Sequence, residues 1–175
     1  MNRKSKNMNE SLNNMKKLLF GLLVVVLAGC ATAEERAARE AEKAQMVAMA
    51  LADRHYTVAV TRMHPLRGRS VSVDFGYELE VRGDTLVSYL PYFGRAYSVP
   101  YGGGKGLNFV SHIDGYQETK GKRGITYVEI VTTNEEDTYY YQLEVFANGN
   151  ASIDVQMKQR DRIRFDGEVT EPRKR

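Results

Sequence analysis

Gly102, Gly103, Gly104 and Gly106 crowd around Lys105, and backbone this open, beside a cation, is what a phosphate-binding loop is made of. A P-loop, however, needs glycine six positions before the lysine and Ser or Thr directly after it; those positions hold Val99 and Gly106. The dinucleotide pattern fails as well, because Leu107 stands where its third glycine would be, and a strand rather than a helix pattern follows. His55, His64 and His112 are the only histidines. His112 and Asp114 are two apart in a run that reads as strand and so share a face, while Ser111 points to the other face, so no nucleophilic triad assembles locally. Glu135-Glu136-Asp137 lacks the spaced oxygens of a calcium loop and reads as a solvated hairpin tip. Arg160, Arg162 and Arg164 alternate along the last strand, a row that suits lipid headgroups or an acidic glycan, or else a solvated face balanced by Asp161, Asp166 and Glu168. No convergent acid, base or metal set emerges, so the expectation is a non-catalytic protein with no cofactor and no metal.

The residues left with recognition chemistry lie in Leu90–Phe109, which is rich in glycine and aromatic residues with Arg95 and Lys105 as its charges. Tyr92, Phe93, Arg95, Tyr97, Tyr101 and Lys105 are the candidates for the rim of a ligand site; the same residues would serve equally as a plug packed over the open end of a sheet. The chain has no Trp, which weakens a sugar-stacking reading but leaves tyrosine platforms.

The N-terminus says where such a site would be displayed. Lys16-Lys17 precede an apolar run from Leu18 to Leu27, too short to span a bilayer and flanked as a secretory signal is. Leu27-Ala28-Gly29-Cys30 resembles the lipobox of bacterial lipoproteins, so residues 1–29 read as a cleaved signal peptide and Cys30 as the acylated first residue of the mature chain. Met8 and Met15 are alternative starts to Met1. The expected partner is therefore a membrane, reached through lipid on Cys30, with an envelope protein, glycan or lipid as further partner. The expected place is the cell envelope, an outer-membrane lipoprotein on the periplasmic face or the cell surface. The leader holds Arg3, Lys4, Lys6, Lys16 and Lys17 against Glu10, so the net charge of +3 belongs largely to it. A near-neutral mature chain has no footprint for nucleic acid. With Cys30 as the single cysteine there is no intramolecular disulfide or thiolate cluster.

Residues 30–55, free of Gly and Pro and rich in Ala, Glu, Arg and Lys, predict a lipid-anchored helical stalk, with Thr32/Glu35 as a capping box, Glu35/Arg39 as an i,i+4 pair and an apolar far end at Met46–Leu51 that docks on the domain. From residue 56 the period becomes two. Runs near 56–63, 70–81, 85–90, 107–117, 124–132, 138–147, 150–158 and 162–169 predict about eight strands with no helix between them. Such strands pair antiparallel, as a β-sandwich or small barrel over 56–170, leaving 171–175 as a basic tail. Asn148-Gly149 predicts a type I′ hairpin and Gly83-Asp84 a second tight turn.

Two blocks carry a family resemblance. Leu90-Pro91-Tyr92-Phe93-Gly94-Arg95-Ala96-Tyr97 with Pro100-Tyr101-Gly102 and Asn108-Phe109 is one; Val145-Phe146-Ala147-Asn148-Gly149 with Ala151, Val155, Arg160, Ile163, Phe165 and Gly167 is the other. Together they resemble an uncharacterised Bacteroidetes lipoprotein family, domain of unknown function family 4251, over about Met46 to Val169. Gln159-Arg160-Asp161 departs from the Asn-Arg-Gln typical of that family before the final strand. The resemblance implies a lipid-anchored, mostly β domain and no catalytic residue, ligand or activity. In some Bacteroidetes lipoproteins acidic residues close behind the lipidated cysteine act as a surface-export signal, as Glu34 and Glu35 would here, though helix capping explains them equally.

Overall fold

The computed structural model describes residues 33–97 and 106–170. The chain divides after Glu42 into two compact units. A helix, α1, covers residues 33–52. In its first part Arg39 pairs with Glu35 at 2.6 Å, as the i,i+4 spacing predicts. From Lys43 onward it turns Ala44, Val47, Ala50 and Leu51 to one side, a 3.6-residue stripe, and Val47 and Leu51 are buried in the β core. No described helix is long and apolar enough to cross a membrane.

Among the described residues ten antiparallel strands form one sheet. β1 (His55–Pro65) lies near the middle, with β2 (Val71–Ser72) paired to it briefly. On one side follow β3 (Glu78–Arg82), β4 (Thr85–Leu90) and β5 (Leu107–His112); on the other lie β10 (Ile163–Thr170), β9 (Asn150–Met157), β8 (Thr138–Val145), β7 (Thr126–Thr133) and β6 (Gly115–Lys120). The two outermost strands, β5 and β6, are consecutive in sequence and joined through Ile113 and Asp114 alone, so the sheet must roll until its ends approach, and it curls into a half-barrel. Ser111 and Thr132 hydroxyls meet across that approach at 2.6 Å, and the rings of Phe109 and Tyr139 lie 4.5 Å apart.

The expectation of a mainly antiparallel β domain preceded by a helix holds; of its two alternatives the curled half-barrel sheet answers to the small barrel and not to the two packed sheets of a sandwich, with ten strands among the described residues where about eight are expected. Two runs that read as continuous are broken. The stretch 70–81 breaks at a turn that leaves Phe75 fully exposed, and 107–117 breaks because its halves pair with different neighbours, β4 and β7. The Asn148-Gly149 hairpin joins β8 to β9 as expected, yet it is not type I′. Gly149 N–H bonds Phe146 O at 2.9 Å and Gly149 alone has positive φ (87°), which is a type I turn followed by a left-handed residue.

Alternation turns Tyr56, Val58, Leu79, Leu86, Ile130, Tyr139, Tyr141, Ile153 and Phe165 inward, all fully buried. The polar atoms of this interior are satisfied in series: Tyr141 donates to Ser88 Oγ at 3.1 Å and Ser88 donates to Leu107 O at 2.8 Å, tying β8 to β4 and β5. Burial pushes the Tyr141 phenol far above its ordinary range.

Candidate functional site

After β4 the chain cannot continue the sheet, because Pro91 has no N–H to donate. It crosses instead to the connection between β9 and β10 and is fastened there, mostly by backbone. Tyr97 N–H donates to Gln159 O at 2.7 Å, Asp161 N–H donates to Arg95 O at 2.9 Å, and Ala96 and Arg160 form an isolated antiparallel bridge. The Asp161 carboxylate, nearly buried, accepts the Tyr97 hydroxyl at 2.5 Å and the Arg95 N–H at 3.3 Å. These bonds hold the Asp161 carboxyl below the usual aspartate range, the tyrosine hydroxyl first among the causes, and the same bond raises the Tyr97 phenol.

Among the described aromatic residues of this strap, Tyr92 is the one turned into the protein. Its hydroxyl lies 2.9 Å from Arg95 O and 3.1 Å from Asp161 O, and the Arg160 guanidinium sits 5.7 Å from its ring centroid. Arg160 is itself buried and pairs with Glu136 at 2.8 Å. Gly106 closes the arrangement: at φ +65°, a Cβ there would stand 3.2 Å from Arg160 Nη1 and 3.6 Å from Tyr92 Cβ.

The six rim candidates therefore separate. Tyr92 is half-buried and docked, whereas Phe93, Arg95 and Tyr97 are exposed, at 63% for Phe93 and 69% for Tyr97. Tyr101 and Lys105 lie outside the described residues, as do Cys30, Thr32 and the basic tail. The arginine row is not a row: Arg160 precedes β10 and points into the strap's cradle, while Arg162 and Arg164 lie on the outer face. Glu135–Asp137 is not a solvated tip either. Asp137 is buried and its carboxylate accepts the N–H groups of Thr138, Lys158 and Gln159, which anchors the end of β9. His112 ends β5 and Asp114 lies in the turn, and no hydrogen bond joins them.

Two arrangements escaped the sequence because strand register creates them. His64 Nδ1 lies 2.7 Å from Ser70 Oγ, and Nε2 lies 2.7 Å from Asp166 Oδ2. The order of groups is that of a hydrolytic triad, but Nδ1 rather than Nε2 meets the hydroxyl, and the His64 and Asp166 side chains are 29% and 45% exposed. It fastens the loop after β1 to β10. The second is a groove of about 250 Å³ on the outer face of β7–β10, lined by Tyr127, Glu129, Gln142, Asp154, Arg162 and Arg164 among others. Among the described residues no group of three or more His, Cys, Asp or Glu is placed to hold a metal ion.

A curled antiparallel sheet with a filled interior, a strap fastened to the β9–β10 connection and a polar groove outside place the protein in the class of mainly β, half-barrel folds. The chain belongs to the family described as Domain of unknown function (DUF4251), whose model matches residues 38–169. A crystal structure of a DUF4251 family protein from Bacteroides eggerthii is similar, with a TM-score of 0.58 at 13% identity, covering 77% of this chain and 91% of that one. That likeness is one of fold. No curated protein matches.

Proposed function

We propose that this is a lipid-anchored protein of the bacterial outer envelope, acylated at Cys30 after loss of residues 1–29, whose β body binds a partner without catalysis through the strap. One observation carries the binding reading: Phe93 and Tyr97 are exposed on a backbone that the two main-chain hydrogen bonds of the Ala96–Arg160 bridge and the Asp161 carboxylate already hold in place. Aromatic side chains on a fixed backbone lose little freedom when a partner covers them, which is why such residues serve as interface anchors. A photo-crosslinking residue at position 93 is expected to trap a partner in the native envelope, while the same residue at the exposed Met49 does not. Equal trapping at both positions, or none at 93, overturns the reading.

A structural role for the strap is favoured by Tyr92, the docked ring, and it predicts that loss of Phe93 leaves every envelope contact unchanged. The anchor has its own measurement. An alkyne fatty acid fed to the producing cells is expected to label the wild-type protein and not Cys30→Ser; label that persists in the variant, or is absent from both, removes the lipoprotein assignment and with it the placement in the outer membrane, on either face.

A further inference from the structure

The groove on β7–β10 is lined by none of the strap's described residues and holds an unfinished hydrogen-bond network. Register aligns Glu129 with Gln142, Gln142 with Asp154, and Asp154 with Arg164, which sets four planar polar side chains in a row across four strands. Asp154 is only 9% exposed. Its Oδ2 accepts from Arg162, Nε at 2.7 Å and Nη2 at 2.5 Å, but its Oδ1 is buried with no hydrogen-bond partner. A buried acceptor left unpaired costs about 1–3 kcal/mol, more when charged, and it is rare in native proteins for that reason. Beside it, Arg164 spends Nε on Ser152 Oγ at 2.8 Å, and its terminal nitrogens have no partner among the described residues.

We propose that this groove is a saccharide subsite that takes a pyranose through two adjacent hydroxyls. An open acceptor next to open donors calls for a ligand that donates and accepts from neighbouring atoms, and a vicinal diol does so without carrying charge. A ligand ammonium would face Arg164, and a carboxylate or phosphate would face Glu129 and Glu144, so a neutral ligand avoids both repulsions. One hydroxyl donates to Asp154 Oδ1 as Arg162, whose side chain is 56% exposed, tilts outward; its neighbour accepts from Arg164. Tyr127, 40% exposed at the groove's border, supplies a ring for the sugar's C–H face. At about 250 Å³ the groove lies just below the range of about 300–1,000 Å³ usual for drug-sized ligands, which suits a single ring.

Saturation-transfer NMR on the detergent-solubilised full chain, with glucose, mannose, N-acetylglucosamine and glycylglycine as probes, tests this. Transfer to the ring protons of at least one sugar is expected, weakened about tenfold in Asp154→Ala and in Arg164→Gln and retained in Phe93→Ala. Should Asp154→Ala fail to fold, Arg164→Gln, a change on the exposed face, decides alone. Absence of transfer to all three sugars, transfer to glycylglycine alone, or sugar binding unchanged in the groove variants overturns the proposal.

Discussion

The strap and the groove, the two surfaces proposed for recognition, are built in opposite ways. In the strap the main chain does most of the holding, helped by the Tyr97 hydroxyl on Asp161, and the Phe93 side chain is left over for display. In the groove the main chain is committed to the β7–β10 ladders, and the side chains bond one another, Arg162 to Asp154 and Arg164 to Ser152. The difference separates stability from recognition differently in each. Cutting the strap's fastening exposes a loop and its cradle, whereas truncating the groove's Arg164 disturbs a side chain already exposed on the outer face.

Stability measurements test that contrast most sharply at the cradle. Arg160→Ala removes a buried guanidinium from between Glu136 and the Tyr92 ring, and a loss of about 3 kcal/mol in urea unfolding is expected; a loss no larger than that of a surface change would mean the strap is not fastened there. Tyr92→Phe keeps the ring and deletes the hydroxyl shared by Arg95 O and Asp161 O, for an expected cost of about 1 kcal/mol. Acid should act on a neighbouring contact, the Tyr97 hydroxyl on the Asp161 carboxylate. The Asp161 carboxyl is held below its ordinary range, so its contribution is present above the usual aspartate pKa and is lost as pH falls through the depressed value. At the alkaline end the raised Tyr97 phenol contributes fully below the usual tyrosine pKa and loses that contribution as pH rises through the raised one. The protection factor of the Tyr97 amide, its exchange rate corrected for intrinsic acid and base catalysis, is expected to fall at both extremes while those of β8 amides do not. The smallest effects belong to Phe93→Ala and Arg164→Gln, each within about 0.5 kcal/mol of wild type in the same unfolding assay. Their consequences are expected in binding alone, each at its own surface.

Local patterning made most strands and the helix legible, because period-two and period-3.6 runs record which side meets the core. The hairpins at Gly83 and Gly149 were legible in place, and Gly149 only partly in type, since the type I turn asks for one left-handed residue where Asn-Gly offers two. The strap was legible as an unusual segment between two strands. Its fastening was not, because the partners Gln159 and Asp161 are remote in sequence and act partly through backbone atoms that any residue supplies. The groove escaped for a related reason: Glu129, Gln142, Asp154 and Arg164 become neighbours only when four strands are set in register. Asp137 shows the same limit, its acidic run promising solvent while the carboxylate collects three backbone N–H groups.

The short link through Ile113 and Asp114 has a consequence for how the molecule is made. Read from β6 through β10 and then from β1 through β5, the main sheet is an unbroken meander, each strand beside the next, with β2 only a side branch. The natural chain starts in the middle of that meander, so the seam between β1 and β10 joins its two ends, Thr57 opposite Thr170, and closes only when the last strand has been synthesised. Until then both halves carry an open edge, which is an aggregation hazard for the unfinished chain. A circular permutant opened between Ile113 and Asp114, with a linker joining the old ends, would turn that distant pairing into a local one and fold faster into the same sheet.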